Sequence, residues 1–363
     1  MSTVAQSASY VYKWLGENIK DGVCNILGRT VKFYEVHDAK MMYALTAHSL
    51  WNRQYHPFLL CSCQRGDGVV DPNHTCTMLS DEEQELLFEK SLRKFNEKKK
   101  ANPNYNEERH RAYADKNLKG CTHFGYSPTE LRRSSIRMDI FHCQASTTRK
   151  LGEHLRQCIF RQTVDVQVEF NEIILSFWGD FKYSWWSMDR PLAKFKGPEL
   201  KVFINNIPLL AEFLKSTLGR CEEACRIAES LELWAQMVPF LNICHVKDKA
   251  GYPGKITKFE EDVKKLYAVG AKTFLSTQYV GDEENFYSHC LRFYMPVFAR
   301  KTFEEHGTGL GIFNMQGFEH RNKESKRHFT RHTNKKGNVA LQVMPRLWDD
   351  FSNMSKVYSK VYN

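Results

Sequence analysis

The sequence predicts a helix-dominated chain built as a short α/β piece, a long helical insert and a basic helical tail. Three observations carry this. One β-rich run, Thr30 to His37, sits between two stretches of helical periodicity. Apolar residues then recur mainly at helical spacing from Ser146 to Phe298. Beyond a cluster of glycines at 307, 309, 311 and 317, the stretch from Arg321 to Arg346 has eight Lys or Arg and a single acid, Glu324.

Each element follows from its local pattern. Tyr10, Trp14, Ile19 and Val23 fall near one stripe of a helix over Ser7 to Leu27, which Gly28 ends. Thr30 to His37 has the length and β-branched content of a strand. Asp38 follows, and Met42, Leu45 and Leu50 mark a helix over Ala39 to Leu50. Trp51 to Met78 is loop-like and rich in Cys, His and Gly. Ser80 and Glu83 have capping-box spacing ahead of a helix carrying Leu86, Leu87 and Phe95. Lys98 to Lys119 is polar and basic, and Asn102-Pro-Asn-Tyr-Asn106 breaks any helix there; it reads as an exposed arm, a hinge or a solvated loop. Leu151, Leu155 and Ile159 mark the next helix. Leu209, Leu210, Phe213 and Leu214 mark another, stopped at Gly219. Cys221 to Leu241 and Lys255 to Leu275 are two more amphipathic segments.

The composition narrows the class. Of 363 residues 42% are hydrophobic and 13% aromatic, enough for a sizeable core, so wholesale disorder is excluded. No apolar run approaches the ~18 residues of a membrane span. Met1 to Lys13 lacks a charged region leading into an apolar stretch, so no secretory leader is expected. Lys plus Arg number 52 and Asp plus Glu 42, giving 52 − 42 = +10, a balance that suits an anionic partner such as nucleic acid. Eleven cysteines without an export signal fit reduced thiols, some of them holding metal, better than a disulfide framework.

Four constellations can carry chemistry. Asp38 stands where a strand hands over to a helix, either as a Mg²⁺ ligand at the sheet edge or as a helix N-cap. Glu319 lies in the first turn of the basic tail helix, where it either joins a metal bridging phosphate oxygens or answers the helix dipole. Cys61-Ser-Cys63 and His74-Thr-Cys76 either offer thiolate and imidazole to zinc, with His289 and Cys290 as remote candidates, or are free, unligated cysteines. Asp139 and His142 either add a carboxylate to a site or are polar partners at a helix start, the second reading being favoured. Trp185 and Trp186 either stack bases or pack.

Taken in order, these pieces resemble a DDE transposase. Within that superfamily the chain is most similar to the insertion-bearing group that includes the V(D)J recombinase catalytic subunit and related eukaryotic transposases. The resemblance runs from about Thr30 to Trp348. Its most specific pieces are Gly311-Ile-Phe-Asn-Met-Gln-Gly-Phe-Glu-His-Arg-Asn-Lys323, Arg137-Met-Asp-Ile-Phe-His-Cys143 and Phe286-Tyr-Ser-His-Cys-Leu-Arg-Phe-Tyr-Met-Pro296. It implies an α/β remnant of an RNase H-like fold with a large helical insertion. Residues 1–52 would carry the second acid, 53–300 the Cys/His loop and insertion, and 301–363 the basic part with the third acid.

The same resemblance implies Asp38 and Glu319 as catalytic ligands of Mg²⁺ or Mn²⁺. Arg321, Lys323, Lys326, Arg327 and Arg331 would contact DNA phosphates. Cys61, Cys63 and His289 would be zinc ligands. The family's second zinc histidine falls at Tyr294, so His74, Cys76 or Cys290 would have to replace it. The family's first aspartate has no counterpart here, since Asp21 lies within the expected first helix; the chain is therefore expected to be truncated and its cleavage impaired. The implied setting is nuclear or otherwise intracellular, on DNA such as transposon ends, with a homo-oligomer and no membrane. The alternative is a non-catalytic, domesticated or decayed DNA-binding scaffold stabilised by zinc.

Overall fold

The structure is a computed structural model that describes residues 23–26, 29–32, 35–37, 60–63, 75–124, 136–178, 195, 197–270 and 283–315. The chain divides into two compact units, Met1–Phe313 and Asn314–Asn363, and the elements below all belong to the first.

Strand β1 (Val23–Ile26) pairs antiparallel with β2 (Arg29–Lys32). Ile26 stands opposite Arg29 in the register. The end of the expected helix over Ser7 to Leu27 is thus a strand: Val-Cys-Asn-Ile finds a ladder partner in β2. The remainder of that helix lies outside the described residues. The strand expected over Thr30 to His37 is divided. Its front is β2, and its end, β3 (Glu35–His37), pairs parallel with β4 (Ile136–Met138), with Val36 opposite Arg137. A parallel pair needs a long crossover, and this one includes two helices.

The first of these, α1 (Asp81–Ala101), starts at a complete capping box. Glu83 N donates to Ser80 Oγ at 3.1 Å and Ser80 N to Glu83 Oε2 at 3.0 Å. The second, α2 (Glu107–Asn117), is capped by Asn106, whose side chain accepts from Arg109 N. It corrects the reading of Lys98 to Lys119 as an arm or loop: after the Pro-Asn break the chain forms a helix that buries His110 and Ala114.

The remaining helices are α3 (Ile140–Phe160), α4 (Val164–Trp178), α5 (Gly197–Asn205), α6 (Ile207–Leu218), α7 (Glu222–Leu241), α8 (Tyr252–Gly270), α9 (Glu283–His289) and α10 (Met295–His306). A π turn, Cys290–Tyr294, joins α9 to α10, and a 3-10 turn, Leu310–Phe313, follows. Helices dominate the described residues. Helix α3 is the spine: 14 of its 21 residues are buried, and it packs against α7 and α9. Trp234 of α7 is fully buried and donates its indole N–H to Thr148 Oγ1 at 2.8 Å.

The glycine cluster has a structural use. Gly307 ends α10 with φ at +65°, a conformation open to glycine. Gly309 N and Gly311 N donate to Cys244 O and Ile243 O at 3.1 and 2.8 Å. A Cβ on Gly311 would meet Asn242 O at 2.5 Å. The segment is a backbone clasp laid along the chain that leaves α7.

Candidate metal centre

Two short segments run antiparallel in front of α1. Cys61 pairs with Met78, Leu79 N donates to Leu60 O at 2.9 Å, and Ser62 N to Thr77 O at 3.4 Å. Alternate residues of an extended segment share a face. Cys61 and Cys63 therefore look the same way, and counting along the register sets Cys76 opposite Cys63. This accounts for a Cys-x-Cys spacing tighter than the usual zinc pattern: these thiols come off paired extended segments. The fourth group, His289, is the last residue of α9.

The ligand atoms of Cys61, Cys63, Cys76 and His289 all lie within 4.8 Å of one another. His289 Nε2 is 3.3 Å from Cys61 Sγ and 3.8 Å from Cys76 Sγ. A tetrahedron with zinc–sulfur and zinc–nitrogen bonds of ~2.3 and ~2.0 Å has sulfur–nitrogen edges of roughly 3.5 Å. The donor set fits, and the cluster can hold a metal ion such as zinc. Cys61, Cys63 and His289 are buried and Cys76 is half-buried, as a closed structural site requires.

The thiols are not equivalent. Burial alone would raise Cys61, but hydrogen bonds from Cys63, Cys76 and Tyr294 hold it well below the ordinary thiol value. Cys63 and Cys76 are raised, in each case chiefly by their hydrogen bonds to Cys61. Cys63, Cys76 and Tyr294 thus all turn hydrogen-bond donors towards the Cys61 sulfur, and a metal ion binding there would displace the thiol protons. Tyr294 donates its hydroxyl to Cys61 Sγ at 3.2 Å, and burial, then the Cys61 charge, pushes its own phenol up.

Of the candidates for a fourth zinc ligand, Cys76 stands in the cluster. Cys290 is buried next to His289 in sequence but is not one of the four, and burial pushes its thiol well up. His74 lies outside the described residues. So do Asp21, Asp38, Trp185, Trp186, Glu319, Arg321, Lys323, Lys326, Arg327 and Arg331. The part played by Tyr294 was missed in the sequence, where a tyrosine counts only as a poor ligand.

Asp139 is fully buried at the start of α3. Its Oδ1 accepts from Phe141 N at 2.9 Å, and its other oxygen pairs with His142 Nδ1. The His142 ring stacks on Tyr287 with centroids 6.2 Å apart. The carboxylate thus caps the helix and fixes the imidazole together. No protein-family model matches this chain, and no curated protein matches it.

Proposed function

We propose that the chain is a DNA-binding protein of the DDE transposase type, with an RNase H-like core and a zinc centre that ties its helical insertion to the loop before α1. The observation that carries this reading is the meeting of Cys61 and Cys63 with His289, which lies 228 residues after Cys61. The resemblance implies those three as ligands, and nothing local in the sequence requires them to converge. A second observation agrees. Strands β3 and β4 are parallel neighbours, and the residue after each in sequence is an aspartate, Asp38 and Asp139. Carboxyl ends of parallel strands are where α/β folds bind ligands.

On this reading Asp38 and Glu319 hold Mg²⁺ or Mn²⁺, which supplies Lewis-acid help to phosphodiester cleavage and strand transfer. Arg321, Lys323, Lys326, Arg327 and Arg331 neutralise DNA phosphates, and the protein works in the nucleus as a homo-oligomer. The resemblance gives counterparts here to two of the family's three acids, Asp38 and Glu319.

The purified protein, tested on supercoiled plasmid with Mn²⁺, should bind DNA in a salt-dependent way and nick it slowly, with nicking lost in Glu319→Gln. Absence of DNA binding near physiological salt would overturn the reading. The second reading, a non-catalytic zinc-stabilised scaffold, is favoured by Asp139 being spent on a helix cap and a histidine. It predicts DNA binding that survives Asp38→Ala, with no nicking at all.

A further inference from the structure

The π turn between α9 and α10 lies directly on the metal centre. In an α-helix a residue five places on is turned by about 140° from the first. His289 and Tyr294 would then face apart. The i→i+5 turn over Cys290–Tyr294 brings them back to one face. Tyr294 sets its ring edge-on against the His289 imidazole, with centroids 5.1 Å apart at 85°. Its hydroxyl donates to Cys61 Sγ at 3.2 Å and accepts from Leu60 N at 3.3 Å. The oxygen is held from both sides, and the side chain is fully buried.

Three thiolates and one neutral imidazole around a divalent ion leave about one net negative charge on a buried cluster. A donor aimed at a ligand sulfur spreads that charge and fixes the ligand's direction. We propose that Tyr294 is a positioning residue of a Cys3His metal centre: the π turn carries its hydroxyl onto Cys61, where it pins the thiolate, while Cys76 completes the ligand set. The inference rests on the metal-centre reading above and names what orients that centre.

The test uses the full chain loaded with cobalt in place of zinc. The wild type should bind one equivalent and show tetrahedral bands with strong thiolate-to-cobalt charge transfer. Tyr294→Phe should keep the stoichiometry and the tetrahedral bands. Its zinc affinity, by competition with a chromophoric chelator, should fall by about 10–100-fold, and its charge-transfer band should move to lower energy. A role in packing alone would lower stability without moving that band. Folding of the variant is followed by circular dichroism. The wild-type chain grown with 3-fluorotyrosine at its 16 tyrosines gives a second reading independent of the variant. The more acidic phenol should move the band to higher energy. An unchanged affinity and band in Tyr294→Phe, or an unmoved band with fluorotyrosine, overturns the role of Tyr294 alone. A wild type that takes up no cobalt or zinc overturns the metal centre with it.

Discussion

Cys76 and Cys290 flank His289 in different senses, one in space and one in sequence, and substitutions there should part accordingly. Cys76→Ser removes a ligand atom, so zinc affinity should drop by more than about tenfold. Cys290→Ser should leave zinc stoichiometry unchanged, because its thiol lies outside the four-atom cluster. Metal analysis after gel filtration checks both. A second residue-scale prediction concerns Trp234. Its N–H is buried and its partner is the Thr148 hydroxyl. Thr148→Val keeps the shape but leaves that donor unsatisfied, a loss of about 1–3 kcal/mol in urea unfolding. At Gly311 an added methyl would press on the Asn242 carbonyl, so Gly311→Ala should cost about 2–3 kcal/mol by moving backbone.

Between helices α1 and α2 the chemistry belongs to the pair. His110 is fully buried there, with Ser91 Oγ 2.9 Å from Nε2 and Tyr105 OH 3.2 Å from Nδ1. Ser91 also meets His123 Nδ1 at 3.1 Å. Burial, then the nearness of His123 and Lys98, holds His110 down to about 4. On α3, burial and then Lys150 hold His154 down to about 4. Both values lie below the ordinary 6.5, so protons bind the unfolded chain first. The stabilisation is complete above pH 6.5 and is lost as the pH falls towards 4, at up to about 3 kcal/mol for each residue. The urea midpoint of the protein should therefore decline steadily from pH 7 to pH 4.5. A proton resonance of His110 that titrates near 6.5 would contradict this.

At the scale of the whole molecule, a metal held by the Cys61, Cys63, Cys76 and His289 cluster would act as a cross-link between residues 228 apart. Closing so long a loop costs chain entropy that a bound ion offsets. Chelation should lower the melting temperature, and hydrogen exchange should open segments 60–63 and 76–79 before α3 and α7. Equal melting curves with and without chelator would count against a structural zinc. The net charge of +10 bears on the same scale: the DNA binding proposed above should weaken as salt rises.

The sequence by itself determined the helices of the insert, the capping box at Ser80, the stop at Gly219 and the suspicion of zinc, because each depends on periodicity or on residues within a few positions. It misread the end of its first helix and split nothing where β2 and β3 part, because strand identity depends on which partner is at hand, and the partner of β3 lies about a hundred residues away. The tertiary structure alone decided that Cys76 rather than Cys290 stands with Cys61, Cys63 and His289, and that a tyrosine belongs to the centre. Those outcomes rest on a strand register and on one widened helical turn, and neither leaves a mark in local composition.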